Sequence, residues 1–134
     1  MRALLASVLL CAMPAFADQP ADRTAIETVI QSLKTARPVS VLFTADADSD
    51  LAQLNASQSI MSDAAKQPWS EAMPPALVID SIRFVTADVA IVNAANVQIT
   101  STLARRAPVL FVMKREGTAW KIASLRMLTA SPRF

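Results

Sequence analysis

Val89-Ala90-Ile91-Val92-Asn93-Ala94-Ala95-Asn96-Val97-Gln98-Ile99-Thr100 decides the fold. Its β-branched residues recur at every second position, the period of a strand. Upstream, Leu77 to Val85 has the same character, and Thr86-Ala87-Asp88 makes a turn between the two. Downstream, a polar loop reaches Arg106. Pro108 to Arg115 then reads as a third strand and Trp120 to Thr129 as a fourth. Glu116-Gly117-Thr118 joins these two, with Gly117 free to take positive φ. Strands in succession with short connections predict an antiparallel sheet.

Both faces of these strands are apolar. Val89, Ile91, Val97 and Ile99 share one face of the second strand, with Ala90, Val92 and Ala94 opposite. On the third, Val109, Phe111 and Met113 oppose Leu110 and Val112. On the fourth, alternation sets Trp120, Ile122 and Leu128 against Ala123, Leu125 and Met127. A sheet with one wet face would alternate with polar residues. One face is therefore expected to meet helices and the other a second subunit, since so large an apolar patch is rarely left in water.

Ahead of the sheet, residues 22–37 read as an amphipathic helix with Ile26, Val29, Ile30 and Leu33 on one stripe. Thr24 to Glu27 fits a capping box, Asp22 is a competing N-cap, and Pro38 is the stop. Val39 to Phe43 fits either a helical turn or a small strand, and Thr44 to Asp50 reads as a loop. Leu51 to Lys66 has a weak helical pattern with Ser49 or Asp50 as cap. Pro68, Pro74 and Pro75 mark residues 67–75 as a loop, which carries Trp69.

The chain opens as a secretory leader does. Met1-Arg2 is a short basic start, Ala3 to Met13 an apolar run too short to span a bilayer, and Ala15-Phe16-Ala17 a small-residue cleavage signal. Residues 1–17 are expected to be a signal peptide cut between Ala17 and Asp18. Residues 18–134 would form one domain of a periplasmic or secreted protein without a stable membrane anchor. The only cysteine is Cys11, and Leu10 stands where a lipoprotein signal needs Gly or Ala. After cleavage no cysteine remains, and the chain has no histidine and no tyrosine. Disulfides are excluded, and stability must come from packing.

The whole chain carries 13 Lys and Arg against 11 Asp and Glu. Losing Arg2 narrows that balance further, which argues against nucleic acid or an anionic membrane as partner. Gly117 is the single glycine, so no Gly-rich phosphate loop exists. Nothing in the residues calls for a cofactor or a metal.

One helix, a variable middle and a long meander closing on Gly117-Thr118-Ala119-Trp120-Lys121-Ile122 resemble the nuclear transport factor 2-like superfamily. The SnoaL-like, polyketide-cyclase-like bacterial branch is the most similar. Asp22-Arg23-Thr24-Ala25-Ile26 matches that branch's D-x-x-A-I opening. Phe43-Thr44-Ala45-Asp46-Ala47 matches its F-T-x-D-A, and Gly117, Trp120 and Ile122 its G-x-W-x-I with one extra residue. The resemblance implies a cone-shaped α+β (cystatin-like) fold, helices packed on a curved antiparallel sheet, a pocket at the open end, and homodimers through the sheet. It also implies what is missing. Family enzymes such as ketosteroid isomerases pair a carboxylate base with a tyrosine or protonated-acid donor, and this chain has no tyrosine.

The candidate residues follow. Asp46, Asp48 and Asp80 are the carboxylates to weigh as bases, against solvated carboxylates or helix caps. Asp46, Asp48 and Asp50 lack the glycine and glutamate of a calcium loop. Asn93 offers a ligand both donor and acceptor if its face lines the cone; otherwise it is an amide satisfied by a neighbour. Ser124 and Arg126 are assigned to the Trp120 face. Arg126 would either clamp an anion or pair with Asp80 or another acid nearby. Trp69 is either a ligand-stacking lid or a core plug. The expected activity is binding of a small apolar molecule or a partner segment without catalysis. An isomerase, dehydratase or cyclase using an Asp base, and a structural envelope protein with a filled cone, are the alternatives.

Overall fold

The computed structural model describes residues 19–67, 75–99 and 104–128. Helix α1 spans Gln19–Gln31 and runs on as a 3-10 turn, Ser32–Lys34. A second 3-10 turn, Val39–Leu42, leads into strand β1, Phe43–Ser49. Helix α2 is Leu51–Ala65. The meander follows as β2 (Ala76–Thr86), β3 (Val89–Ile99), β4 (Ala104–Glu116) and β5 (Ala119–Met127). The sheet is mixed, in the order β1-β5-β4-β3-β2, with β1 parallel to β5 and the other pairs antiparallel. The α+β class and the four-strand meander are as the sequence predicts. Gly117 turns the last hairpin at φ 64°.

Helices cover one side of the sheet. Ile26 and Ile30 of α1 and Leu54 of α2 meet Val92, Phe111, Met113, Ile122 and Leu125, each 2% exposed or less.

Several expectations need correction. The helix predicted over 22–37 begins earlier and ends at Gln31. Thr24 lies inside it, its hydroxyl donating to the Pro20 carbonyl rather than capping. The amides of Thr35 and Ala36 both close on the Ser32 carbonyl, so the chain turns before Pro38 is reached. Residues 44–49, read as loop, form β1. A run of Asp and Ala has poor strand propensity, and only pairing with the distant β5 extends it. The polar segment reaching Arg106 is partly strand, because the β3–β4 ladder continues through Gln98–Arg105 to Ile99–Ala104.

The faces of β5 also differ from simple alternation. The β4–β5 register runs from Val112–Ser124 to Met113–Ile122 and leaves Ala123 over. This bulge shifts the phase, so Leu125 joins Trp120 and Ile122 in the core while Arg126 and Leu128 are exposed. A bulge at Asp80 in β2 likewise lets Leu77, Ile79, Ile82 and Phe84 all pack on the core.

Candidate functional site

Strand β1 places the acidic residues. Its parallel pairing sets Asp48 beside Ser124 and Ser49 beside Leu125. Arg126 thereby reaches Asp48 in a direct ion pair, and its Nη1 lies 3.6 Å from Asp50 Oδ1. Asp50 Oδ2 accepts the Met127 amide at 3.1 Å, and Ser49 Oγ accepts the Leu51 amide at 3.0 Å to cap α2. Asp46 Oδ1 accepts the Thr44 hydroxyl at 3.0 Å. Asp80 accepts Arg106 Nη2 on both oxygens, at 2.9 and 2.7 Å. Arg126 therefore pairs with an acid on the neighbouring strand, and that acid is Asp48 rather than Asp80.

These groups do not converge on the helix-facing side. Asp46, Asp48, Asp80, Asn93 and Arg126 are all exposed, and Ser124 is half-buried. Asn93 lies on the outer face with Ile91 and Val97, opposite Leu110, and its Nδ2 donates to Ser81 Oγ at 3.2 Å. The condition for its lining the cone is not met, because the inward residues of β3 are Ala90, Val92, Ala94, Asn96 and Gln98. The assignment of Arg126 to the Trp120 face fails with the bulge. Trp69, Ala17 and Asp18 lie outside the described residues. Among the described residues no Asp or Glu is buried, and no three of His, Cys, Asp and Glu are grouped to hold a metal. Nor is any described helix long and apolar enough to cross a membrane.

Sequence reasoning missed two polar clusters. Buried Asn96 and Gln98 fasten β3 to α2. Gln98 Nε2 donates to the Met61 carbonyl at 2.7 Å, and Asn96 lies 3.5 Å from both Ser57 Oγ and Gln58 Nε2. Their placement at alternate positions of the inward face of β3 was the available signal. Asp22 accepts the Trp120 indole N–H at 3.2 Å and Arg115 Nη1 at 3.4 Å. Arg115 Nε also donates to Asp88 Oδ1 at 3.0 Å. Nothing in the sequence points to that cluster, since its members lie at opposite ends of the chain.

Two grooves open on the helical side. One, about 370 Å³, is lined by Leu33, Lys34, Arg37, Val39, Leu51, Asn55 and Gln58. The other, about 410 Å³, is lined by Val39, Ser40, Phe43, Thr44, Ala45, Ala47, Ser49 and Leu51. Among the described residues neither Lys34 nor Arg37 has an ion-pair partner. Arg37 Nη1 donates to the Ala36 carbonyl at 2.7 Å.

No family model matches the sequence, and no curated protein matches it. Solved structures do. A ketosteroid isomerase-like protein from Erwinia carotovora atroseptica superposes with a TM-score of 0.50 at 16% identity, over 87% of this chain and 98% of that one. Rv3472 from Mycobacterium tuberculosis, of unknown function, gives 0.54 at 14% identity, over 87% and 76%. At such identities the likeness bears on architecture alone, and on that ground the chain has a ketosteroid isomerase-like α+β fold.

Proposed function

We propose that this chain is an exported, non-catalytic binding domain that works as a homodimer through its outer sheet face. The observation that carries the non-catalytic reading is the placement of its carboxylates. A general base needs a site shielded enough to tune its pKa and within reach of the substrate. Here Asp46, Asp48 and Asp80 are exposed and each has a hydrogen-bond or ion-pair partner. With no tyrosine and no histidine, the donor that family enzymes set against such a base has no obvious substitute.

The grooves beside Val39 and Leu51 support binding. Each falls within the range of roughly 300–1,000 Å³ usual for small-molecule sites. The buried apolar cluster between helices and sheet, with Phe111, Ile122 and Leu125 fully buried in it, favours the envelope-protein alternative as the second reading, with the grooves as surface relief only. Native mass spectrometry of the protein from its own host tests both. Retention of a small molecule is expected; an empty protein sinks the binding reading and leaves the structural one.

Export rests on the leader. The secreted form is expected to begin at Asp18, because Ala15 and Ala17 occupy the small-residue positions of the cleavage site. Its intact mass checks this. A mass that includes residues 1–17, or a lipid on Cys11, would overturn it.

A further inference from the structure

The two grooves adjoin at Val39 and Leu51, which line both, and together make a composite channel. Its ends differ in chemistry. Phe43, Ala45 and Ala47 line one end. Lys34 and Arg37 line the other, above half-buried Leu33, Val39 and Leu51.

Charge is the informative part. The ion pairs among the described residues engage Arg106, Arg115 and Arg126, all elsewhere. Lys34, in the 3-10 turn that follows α1, has no ion-pair partner among the described residues. The Arg37 guanidinium gives one nitrogen to a carbonyl and keeps donors free. Two neighbouring cations beside an apolar strip complement a ligand with one anionic head and one apolar body. A neutral amphiphile would leave both charges unused, and a cationic one would be repelled.

We propose that this channel binds a single-tailed organic acid, its chain or ring over Phe43, Ala45 and Ala47 and its carboxylate between Lys34 and Arg37. The proposal rests on the reading of the chain as a binding domain and adds the ligand class. It places the ligand outside the buried apolar cluster, against α2 and β1, which is an edge strand among the described residues.

Calorimetric titration of the purified protein tests it, with decanoate, decanol and decyltrimethylammonium each below its micelle concentration. Decanoate is expected to bind about tenfold or more tighter than decanol, the gain of one charge-assisted contact. The cationic amphiphile is expected not to bind. Lys34→Gln and Arg37→Gln together should bring decanoate to the level of decanol and leave decanol unchanged. Ala47→Trp, which fills the apolar end, should weaken both. Circular dichroism checks that the variants are folded.

Equal affinity for decanoate and decanol overturns the proposal, as does a double variant that keeps the preference, or folded protein that binds none of the probes. Hexaglutamate displacing decanoate and binding more tightly would make the occupant an acidic peptide, which also overturns it. The broader reading fails on a different result, the empty protein in native mass spectrometry, so the two failures are distinguishable.

Discussion

Trp120 is 4% exposed, so its indole N–H has little access to water and needs an acceptor. Asp22 supplies it and also receives Arg115, whose guanidinium carbon lies 5.5 Å from the Trp120 ring centre. Asp22→Ala leaves a buried donor unmet and is expected to cost about 1–3 kcal/mol by urea unfolding. Asp22→Asn keeps an acceptor oxygen and should cost clearly less. By contrast Arg106→Ala removes an exposed pair with Asp80 and should change stability by about 1 kcal/mol at most. Equal losses from Asp22→Ala and Arg106→Ala would refute this ranking. At this scale the sequence was a poor guide. The sequence reads Asp22 as a competing helix cap, but α1 begins at Gln19 and takes Asp22 into its first turn, and its partner is 98 residues away. Arg126 was assigned to the wrong face because alternation assumes an unbroken strand, and one bulged residue reverses every assignment beyond it.

Among the elements, the meander was legible because β-branched runs and a glycine turn are local signals. β1 and the attachment of α2 were not. The acidic, alanine-rich β1 becomes strand only through β5, and α2 has a single buried apolar anchor, Leu54, 2% exposed. Half-buried Leu51 and polar bonds from Asn96 and Gln98 add to its hold. Leu54→Ala is therefore expected to cost about 2–5 kcal/mol, the range for deleting a buried leucine. It should also loosen α2 ahead of the sheet. Hydrogen exchange would reveal amides of residues 55–65 losing protection before those of β3 and β4. Uniform loss of protection would mean that α2 and the sheet unfold as one unit.

For the molecule as a whole, the homodimer we propose rests on the outer sheet face. Its centre is Ile91, Val97, Leu110 and Val112, half-buried, with Val78 and Ile99 more open at 40% and 54%. Asp80, Arg83, Arg106 and Arg126 are interspersed or border it. Five strands at about 4.8 Å spacing, averaging about 10 residues at about 3.3 Å, present a face of some 19 by 33 Å. That is about 630 Å², somewhat below the roughly 800 Å² per partner of a standard stable interface. Among the described residues no element covers the outward-facing Ile91, Val97 and Val112 on the two central strands, which would leave the area to a second copy. An isologous pair would also set each Arg and Asp of the border against its counterpart's opposite charge or against water, not in the dry centre. The two-sided apolar pattern was legible on β3, whose pairing with β4 is unbroken, but not on β2 and β5, where bulges shift the phase; which face met the helices was not legible either, because that depends on α1 docking. Sedimentation is expected to give a dimer at tens of micromolar, roughly, the range in which interfaces of this size hold. Val112→Asp puts a charge at the centre of each partner's patch, where it would be buried without a counter-ion. It should yield a folded monomer, or aggregate if the exposed patch finds other partners. Leu110→Asp should act in the same way, whereas Lys114→Glu, nearer the turn, should leave the dimer intact. An unmodified protein that sediments as a monomer would mean that this face is either solvated as it stands or reserved for a different protein.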